Sequence, residues 1–259
     1  KTQLELISRH LERGEFQLGL DRAKQSSLKF PKSSILCNLQ GVFYFKMLLF
    51  EEAIISFTRS LEICLDYEEP RNNLAAVHNT IGLSLRDKGK FDESIEHFKK
   101  AILIQPNLHQ LYNNMGTVYQ DMGDQELAMK SYKNALDVKP DYAPSYRNIG
   151  VLFYSKSEMR KAIGNYKKAI QIDPQYAEAY SNIAEVLERM GDLKRAINFY
   201  SKSHEIDPDN HITHARKLAR QAKICDWDSV EKDRCVIPSL GVAEKHISPL
   251  DLLALEDAP

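Results

Sequence analysis

A 34-residue unit occurs three times between residues 109 and 210, and it limits the possible folds more than any other feature of the sequence. In each copy a Gly or Ala stands at position 8, an Ala at position 20 and a Pro at position 32. These landmarks are Gly116, Gly150 and Ala184; Ala128, Ala162 and Ala196; and Pro140, Pro174 and Pro208. A period near 34 is typical of stacked helix-turn-helix units, so the repetition predicts an all-α solenoid.

The same landmarks continue towards the N-terminus. Residues 75–108 form a fourth copy, in which Ser94 stands where Ala is expected. Residues 34–67 form another copy without the terminal Pro, and roughly seven extra residues (YEEPRNN) precede the next one. We predict that its second helix runs long, or that the connection loops out, before Pro70 stops it.

The two ends of the repeat array are atypical, as terminal repeats usually are. Residues 1–33 form a degenerate first copy, with Gly14 at the turn and Pro31 at the end. Residues 211–223 predict a capping helix, because the apolar residues fall on one helical face. Those residues are Ile212, Ala215, Leu218 and Ala219.

Spacing within one copy predicts a pair of helices. In the copy 143–176, one stripe of a first helix contains Tyr146, Ile149, Gly150 and Phe153, and a second helix carries Ala162, Tyr166 and Ala169. Gly150 and Ala162 lack bulk, so the two axes can approach to about 8–10 Å while aromatic side chains fill the remaining space. Glycines at the predicted turn favour a left-handed residue that ends the first helix. They are Gly89, Gly123 and Gly191.

With these small residues, aromatics, turn glycines and prolines recurring in register in four copies, the chain resembles tetratricopeptide repeat proteins over residues 1–210. The resemblance implies a right-handed superhelix of about six repeats. It also implies that the first helices line a concave groove that binds peptide segments of other proteins.

Position 6 of the first helix is the strongest candidate for ligand contact. It is Asn114, Asn148 and Asn182 in successive copies, preceded by Thr80. A carboxamide offers donors and an acceptor, so one Asn can pair with a peptide N–H and C=O. The alternative is that each Asn satisfies nearby polar groups. The full set of predicted peptide-binding residues is Asn114, Asn148, Asn182, Thr80, Asn79, Asn113, Gln110, Thr117, Arg147 and Glu185.

Other groove positions change character along the chain. Ile35, Leu39 and Val42 are apolar near the start, whereas Glu178 and Glu185 are acidic near the end. A ligand would therefore be read differently at the two ends. Alternatively, the N-terminal repeat or another subunit covers the apolar group, which leaves a homo-oligomer open.

Charge and hydropathy exclude two partner classes. Thirty-five Lys plus Arg against thirty-six Asp plus Glu give a formal net charge of −1, so no basic field favours nucleic acid. The most apolar stretch, residues 41–50, is too short for a membrane span. We therefore expect a protein or peptide ligand and no nucleic-acid or membrane partner.

Cysteine usage predicts an intracellular, cytoplasmic protein. Cys37, Cys64, Cys225 and Cys235 show no close pairing, which favours reduced buried thiols over disulfides or zinc. His211 and His214 lie three apart, but no third ligand is spaced to join them, so we expect no metal and no cofactor. The basic group Arg216, Lys217, Arg220 and Lys223 is interpreted as a solvated face rather than a phosphate site.

The tail, residues 224–259, departs from the repeat pattern. Its segments CDWDSVEKD and SPLDLLALEDAP resemble the passage that joins the repeats to the catalytic region in O-linked N-acetylglucosamine transferases and their SPINDLY-like relatives. The resemblance implies the substrate-recognition region of a protein O-glycosyltransferase, in which an Asn ladder holds substrate backbones. The alternative is a free-standing adaptor. Trp227, with Asp226 and Asp228, is interpreted as a plug over the solenoid end.

No catalytic constellation stands in the sequence as given. It contains no phosphate-cradling glycine loop and no nucleophile with a base beside it. We therefore expect this chain not to be an enzyme by itself, and a catalytic domain would have to follow Pro259.

Overall fold

The structure, a computed structural model, describes residues 3–224, with Ala222 described by its backbone alone. The chain divides into two compact units, and the boundary falls between Val138 and Lys139. Unit 1 contains eight helices: α1 (Gln3–Glu12), α2 (Phe16–Lys29), α3 (Ser34–Lys46), α4 (Phe50–Ile63), α5 (Glu68–Asp87), α6 (Phe91–Ile104), α7 (His109–Asp121) and α8 (Gln125–Val138). The described part of unit 2 contains five: α9 (Ala143–Ser155), α10 (Met159–Ile172), α11 (Ala177–Arg189), α12 (Leu193–Ile206) and α13 (His211–Lys223).

Each unit is a row of helix-turn-helix pairs, so the all-α class and the repeated arrangement are confirmed. Inside each pair from α3–α4 to α11–α12, the small residue at position 8 faces a fully buried aromatic ring at position 24. A Cβ added to Gly41, Gly116 or Gly150 would lie 2.5–2.7 Å from the ring of the facing residue. The rings at position 24 are Phe57, Phe98, Tyr132, Tyr166 and Tyr200, each at most 1% exposed. The two helices can therefore approach closely because the glycine at position 8 has no side chain.

Serine replaces alanine at three buried positions, and each hydroxyl has a backbone partner. Ser94 Oγ donates to the carbonyl of Gly82 at 2.6 Å. Ser60 and Ser203 donate to the first residue of their own copies, Ser34 and Ala177, at 2.8 and 2.9 Å. Burying an unpaired hydroxyl would cost about 1–3 kcal/mol, so these bonds explain why the repeat tolerates serine there.

The turns between paired helices have one left-handed residue. Gly89, Gly123 and Gly191 have φ of 73°, 84° and 83°, which confirms the prediction for these glycines. Leu48 and Ser157 stand at the equivalent point of their copies with φ of 62° and 60°. The turn therefore imposes this conformation even where a side chain costs about 1–2 kcal/mol.

The extra residues before α5 are helical, contrary to the predicted long α4 or looped connection. Helix α4 ends at Ile63, and α5 begins at Glu68 and runs for 20 residues. Pro70 lies buried in the first turn of α5 and does not stop a helix. The first turn of a helix needs no N–H from its own residues, so proline fits there.

The buried stripe of the first helix is wider than the spacing predicts. In the copy 143–176, Ile149 and Gly150 are buried as expected, but Tyr146 and Phe153 are only half-buried. In α11 the flanking positions 3 and 10, Ala179 and Val186, are fully buried. A first helix inside a unit packs on its own partner and on the preceding second helix, so its apolar arc exceeds one stripe.

Gly164 gives a direct test of local helix stability. It lies exposed within α10, without a left-handed φ, and an added Cβ would have nothing within 4 Å. Gly164→Ala should therefore raise the free energy of unfolding by about 0.8–1.0 kcal/mol, because alanine has the higher helix propensity. Urea titration followed by circular dichroism measures the change. A lower stability would mean that this part of α10 is not helical.

Among the helices of residues 3–224, none combines the length and apolar composition that crossing a bilayer requires.

Candidate functional site

The Asn ladder is the set of position-6 residues Asn114, Asn148 and Asn182. In unit 1, its member Asn114 already takes part in a hydrogen bond between repeats. Asn114 Nδ2 donates to Asn79 Oδ1 at 2.9 Å, which joins position 6 of α7 to position 5 of α5. Both side chains are half-buried. The bond uses one of the two N–H donors of Asn114, so its other N–H and its carbonyl oxygen are the parts that a ligand would meet.

Asn113 does not belong to this surface. The sequence predicts that it contacts peptide, but it is only 8% exposed. Position 5 of α7 therefore lies on the packed side of the helix. The prediction for Asn113 therefore needs correction.

The remaining predicted residues of unit 1 lie at the surface of the first helices. Gln110 is exposed in the first turn of α7. Thr80 and Thr117 are half-buried, and their hydroxyls donate within their own helices, to the carbonyls of Ala76 and Asn113 at 2.9 and 3.0 Å. A hydroxyl oxygen bonded in this way presents lone pairs, so Thr80 is suited to accept a hydrogen bond from a ligand. Thr117 Oγ1 already has the hydroxyl of Tyr132 at 3.5 Å.

In unit 2, Arg147 organises two ladder amides. Its Nε donates to Asn182 Oδ1 at 3.0 Å, and its Nη1 donates to Asn148 Oδ1 at 3.1 Å. The carbonyl of Asn182 is therefore occupied, and its NH₂ group is the part that a peptide carbonyl could meet. The ligand role predicted for these amides stays a prediction. The alternative interpretation is that each Asn satisfies nearby polar groups. It is correct for the Oδ1 atoms of Asn148 and Asn182, which accept from Arg147.

Glu185 has a partner that the sequence does not predict. Arg216 Nη1 of α13 donates to Glu185 Oε1 and forms an ion pair. One turn further along, Arg220 Nη2 donates to Glu188 Oε1 at 2.5 Å. The sequence predicts direct peptide contact for Glu185 and a solvated face for Arg216 and Arg220. The solvated-face interpretation of Arg216 and Arg220 needs correction, because both side chains pair with glutamates of α11. The peptide contact of Glu185 stays a prediction.

These ion pairs line a polar cavity of about 470 Å³ in unit 2. Tyr154, Arg189 and Tyr200 also line it. The guanidinium of Arg189 lies 5.2 Å from the ring centroid of Tyr154, and its Nη2 is 3.3 Å from Ser157 Oγ. Tyr200 donates its hydroxyl to Glu188 Oε2 at 3.2 Å.

Burial and charge shift the titration of two groups in this cavity. Burial lowers the pKa of Arg216, and the neighbouring guanidinium of Arg220 lowers it further. Burial raises the pKa of Tyr200, and the carboxylate of Glu188 adds to the shift. At neutral pH the cavity therefore presents charged guanidinium groups and a neutral phenol.

Extending the repeat register by one more copy would have identified Arg216. Counted from His211, Arg216 stands at position 6, where the earlier copies have Asn. The register predicted from the sequence ends at residue 210 because α13 lacks the small residues of a full repeat, and so it misses the ladder position of α13.

The apolar residues at the start of the array are partly covered. Leu39 and Val42 pack against the cores of unit 1 and are half-buried, whereas Ile35 is 45% exposed. The cysteine prediction is wrong for Cys64, which is exposed just after α4, and it holds for buried Cys37. Burial raises the pKa of the Cys37 thiol.

Over residues 3–224, no three His, Cys, Asp or Glu side chains come close enough to hold a metal ion. His214 stacks instead on His204, with ring centroids 4.1 Å apart. The predictions for Cys225, Cys235, Trp227 and the rest of the tail lie outside the described residues.

Paired helices with a small-residue crossing and a polar face on the first helix define a helical repeat protein. Sequence profiles agree: residues 82–123, 118–157 and 150–191 match the family described as TPR repeat, and residues 177–210 match the tetratricopeptide repeat. The chain is a tetratricopeptide repeat protein.

Solved structures with the same fold are distant in sequence. YrrB, described as a TPR protein with an unusual peptide-binding site, is 17% identical with a TM-score of 0.52, over 75% of this chain and 97% of its own. PilF of Pseudomonas aeruginosa is 16% identical with a TM-score of 0.54, over 80% and 90%. The APC/C assembly Cut9–Hcn1 is 14% identical with a TM-score of 0.58, over 97% and 48%. The comparison with curated proteins found no match.

Proposed function

We propose that this chain is a protein-interaction module that holds extended peptide segments on the first-helix faces of its units. The observation that carries the proposal is that, within each unit, half-buried amides at position 6 are fixed by hydrogen bonds between the first helices of successive copies. Amides held in place before a ligand arrives lose little conformational entropy on binding. The description of YrrB as having a peptide-binding site supports this function by fold alone.

The chemistry of the two faces supports backbone recognition. Asn182 presents donors, and Asn114 presents a donor together with a carbonyl oxygen, so each matches part of a peptide group. A net contribution of about 0.5–1.5 kcal/mol per hydrogen bond is well below the roughly 8 kcal/mol of micromolar binding. Ligand side chains must supply the rest, so the amides align the peptide while other contacts provide most of the affinity.

Removing one amide from each unit tests the proposal. Asn114→Ala and Asn182→Ala should each weaken binding of a co-purified protein partner or a peptide derived from it by about three- to tenfold, the equivalent of one hydrogen bond. Isothermal titration calorimetry measures the affinity. Each variant also loses a bond between repeats, so a small decrease in the melting midpoint is expected.

Asn165→Ala is the matched control, because within residues 3–224 the Asn165 amide donates to the carbonyl of Lys161 in its own helix α10 and to no other group. It should leave affinity unchanged. Wild-type affinity in both ladder variants would contradict the proposed role of the first-helix faces.

We further propose that the ligands are substrates of a protein O-glycosyltransferase. The support is the sequence resemblance of residues 224–259, together with the Asn ladder. Sequencing the reading frame past Pro259 tests this assignment: a long α/β region would support a transferase, and a stop codon would support the adaptor.

A further inference from the structure

The outer face of α10 combines exposed cations with an exposed glycine. Gly164 lies at the centre, and the cations, three or four residues away on either side, are Arg160, Lys161, Lys167 and Lys168. Residues with these spacings share one helical face. Helix α10 contains no Asp or Glu, whereas every other second helix contains at least one; these are α2, α4, α6, α8 and α12. The positive charge of this face is therefore not balanced on its own helix.

Neighbouring carboxylates balance little of this charge. Glu158, the residue just before α10, pairs with Lys161 at 2.5 Å. Among the described residues, no carboxylate lies within ion-pair distance of Arg160, Lys167 or Lys168. Four positive charges and the one negative charge of Glu158 leave this group of side chains with a net charge of +3.

Two of the four cations are held in place by aromatic rings of α9. Lys161 Nζ lies 5.3 Å from the ring centroid of Phe153, and Lys168 Nζ lies 5.4 Å from that of Tyr146. The face of an aromatic ring attracts a cation. Both ammonium groups are therefore positioned before a ligand arrives, which reduces the conformational entropy that they lose on binding.

Two features of α10 oppose helix stability without a packing reason. Gly164 has no left-handed φ, and an added Cβ would have nothing within 4 Å, so the fold does not require glycine at this position. Arg160 and Lys161 lie in the first turn, where the positive end of the helix dipole disfavours cations. Departures from local preference that packing does not explain are typical of functional sites. The open space over Gly164 gives an anionic group room to approach the helix between the cations.

We propose that this face of α10 binds a phosphate group on a Ser or Thr side chain of a protein partner. A phosphorylated side chain carries a charge of about −1.5 to −2 at neutral pH, and its three oxygens accept from several cations at once. This charge matches the cationic group better than the single charge of a carboxylate does. The site lies on a second helix, so it is separate from the first-helix faces of the proposed function.

The arrangement of the cations favours one isolated phosphate over a polyanion. Four cations surround a single open position, whereas a nucleic acid or a lipid surface presents many phosphates in a row or a sheet. Single-stranded nucleic acid also needs exposed rings on which bases can stack. The rings nearest to the cations, Tyr146 and Phe153, are half-buried and already contact lysines. A phosphorylated protein segment is therefore the partner that this face fits best.

Three labelled peptides test the proposal. They share one Ser- and Ala-rich sequence with blocked ends and carry Ser, phosphoserine or Glu at the centre. Fluorescence anisotropy at low salt should show the phosphoserine peptide binding about tenfold tighter than the Ser peptide, the effect of two or three exposed ion pairs. The phosphoserine peptide should also shift the Gly164 N–H resonance in NMR spectra. Equal affinity of the Ser and phosphoserine peptides, or tightest binding of the Glu peptide, would overturn the inference.

Substitutions on the outer face locate the site. Gly164→Leu should abolish the preference for phosphoserine, because the new side chain fills the open space, while leucine keeps the helix intact. Lys167→Gln should reduce the preference about threefold, the loss of one ion pair. Lys194→Gln is the control, because Lys194 is the exposed cation of α12 at position 18, equivalent to Arg160, with Asn198 instead of a glycine four residues on. A preference that survives in Gly164→Leu would contradict the proposed site.

Other sources of phosphate are tested with vesicles of phosphatidylcholine and phosphatidylserine and with single-stranded polyuridylate. Neither should bind as tightly as the phosphoserine peptide. If one of them binds more tightly and loses that binding in Gly164→Leu, the partner is a lipid surface or a nucleic acid and the proposal is wrong. Asn182→Ala, on α11, should leave the phosphoserine preference unchanged, so failure of the first-helix proposal and failure of this one are distinguishable.

Discussion

Gly150→Leu should lower the free energy of unfolding by about 3 kcal/mol, at the upper end of the usual cost of overpacking. A Cβ at Gly150 would lie 2.5 Å from Cε1 of Tyr166, which is only 1% exposed. The Tyr166 ring packs in one cluster with Ala162 and Ile183 and has no open space to enter. The helices α9 and α10 must therefore move apart. Urea titration followed by circular dichroism measures the loss.

The same substitution at Gly164 is the matched control. Gly164 lies in the same unit, exposed and helical, with nothing within 4 Å of an added Cβ. Gly164→Leu should be neutral or slightly stabilising, because leucine is a better helix former than glycine. Equal stability of the two leucine variants would contradict the position-8 crossing that defines the repeat.

Gly150 also shows why the fold could be predicted from the sequence. Gly150 contacts a ring within its own 34-residue copy, and the equivalent contact recurs in the other copies. The sequence therefore shows the same pattern of small residues, rings and prolines several times, which makes the fold predictable. The extension of α5 was missed because it occurs once. Pro70 has the same sequence signal whether it stops one helix or starts the next, and only the packing around it decides between them.

The sequence predicts where the candidate site lies, but it does not predict which side chains form hydrogen bonds and ion pairs there. Helical periodicity predicts that Asn114 and Asn182 lie away from the packed stripe of the first helix, and both side chains are half-buried. It could not show that Asn79 and Arg147 occupy part of their hydrogen-bonding capacity. The ion pair of Glu185 and Arg216 joins residues 31 apart in the sequence, and no local spacing rule connects them.

Acidification should destabilise unit 1 through a pair of histidines in the copy 75–108. Nδ1 of His78 on α5 lies 3.1 Å from Nδ1 of His97 on α6. Burial lowers the pKa of His78 from 6.5 to about 4, and the charges of His97 and Lys100 add to the shift. Burial likewise lowers the pKa of His97, and Lys100 contributes, while Glu93 opposes it. Both rings are therefore neutral in the folded chain at neutral pH.

The direction of the pH effect follows from proton binding. Between pH 6.5 and about 4, the unfolded chain protonates His78 and the folded chain does not. The free energy of unfolding should thus be highest above pH 6.5 and fall as the pH decreases through this window. At about 1.4 kcal/mol per pKa unit, the loss attributable to His78 is at most about 3.5 kcal/mol. Urea titrations across this range measure the slope.

The last copy supplies the replacement that should remove this slope. Tyr180 and Phe199 occupy the positions equivalent to His78 and His97, with ring centroids 6.3 Å apart, compared with 5.1 Å for the histidines. The double variant His78→Tyr, His97→Phe should keep an aromatic contact between α5 and α6 while binding no proton in this window. The exposed His211→Gln serves as the control and should retain the slope. A wild-type slope in the double variant would show that other groups cause the acid sensitivity, because neither tyrosine nor phenylalanine binds a proton between pH 6.5 and about 4.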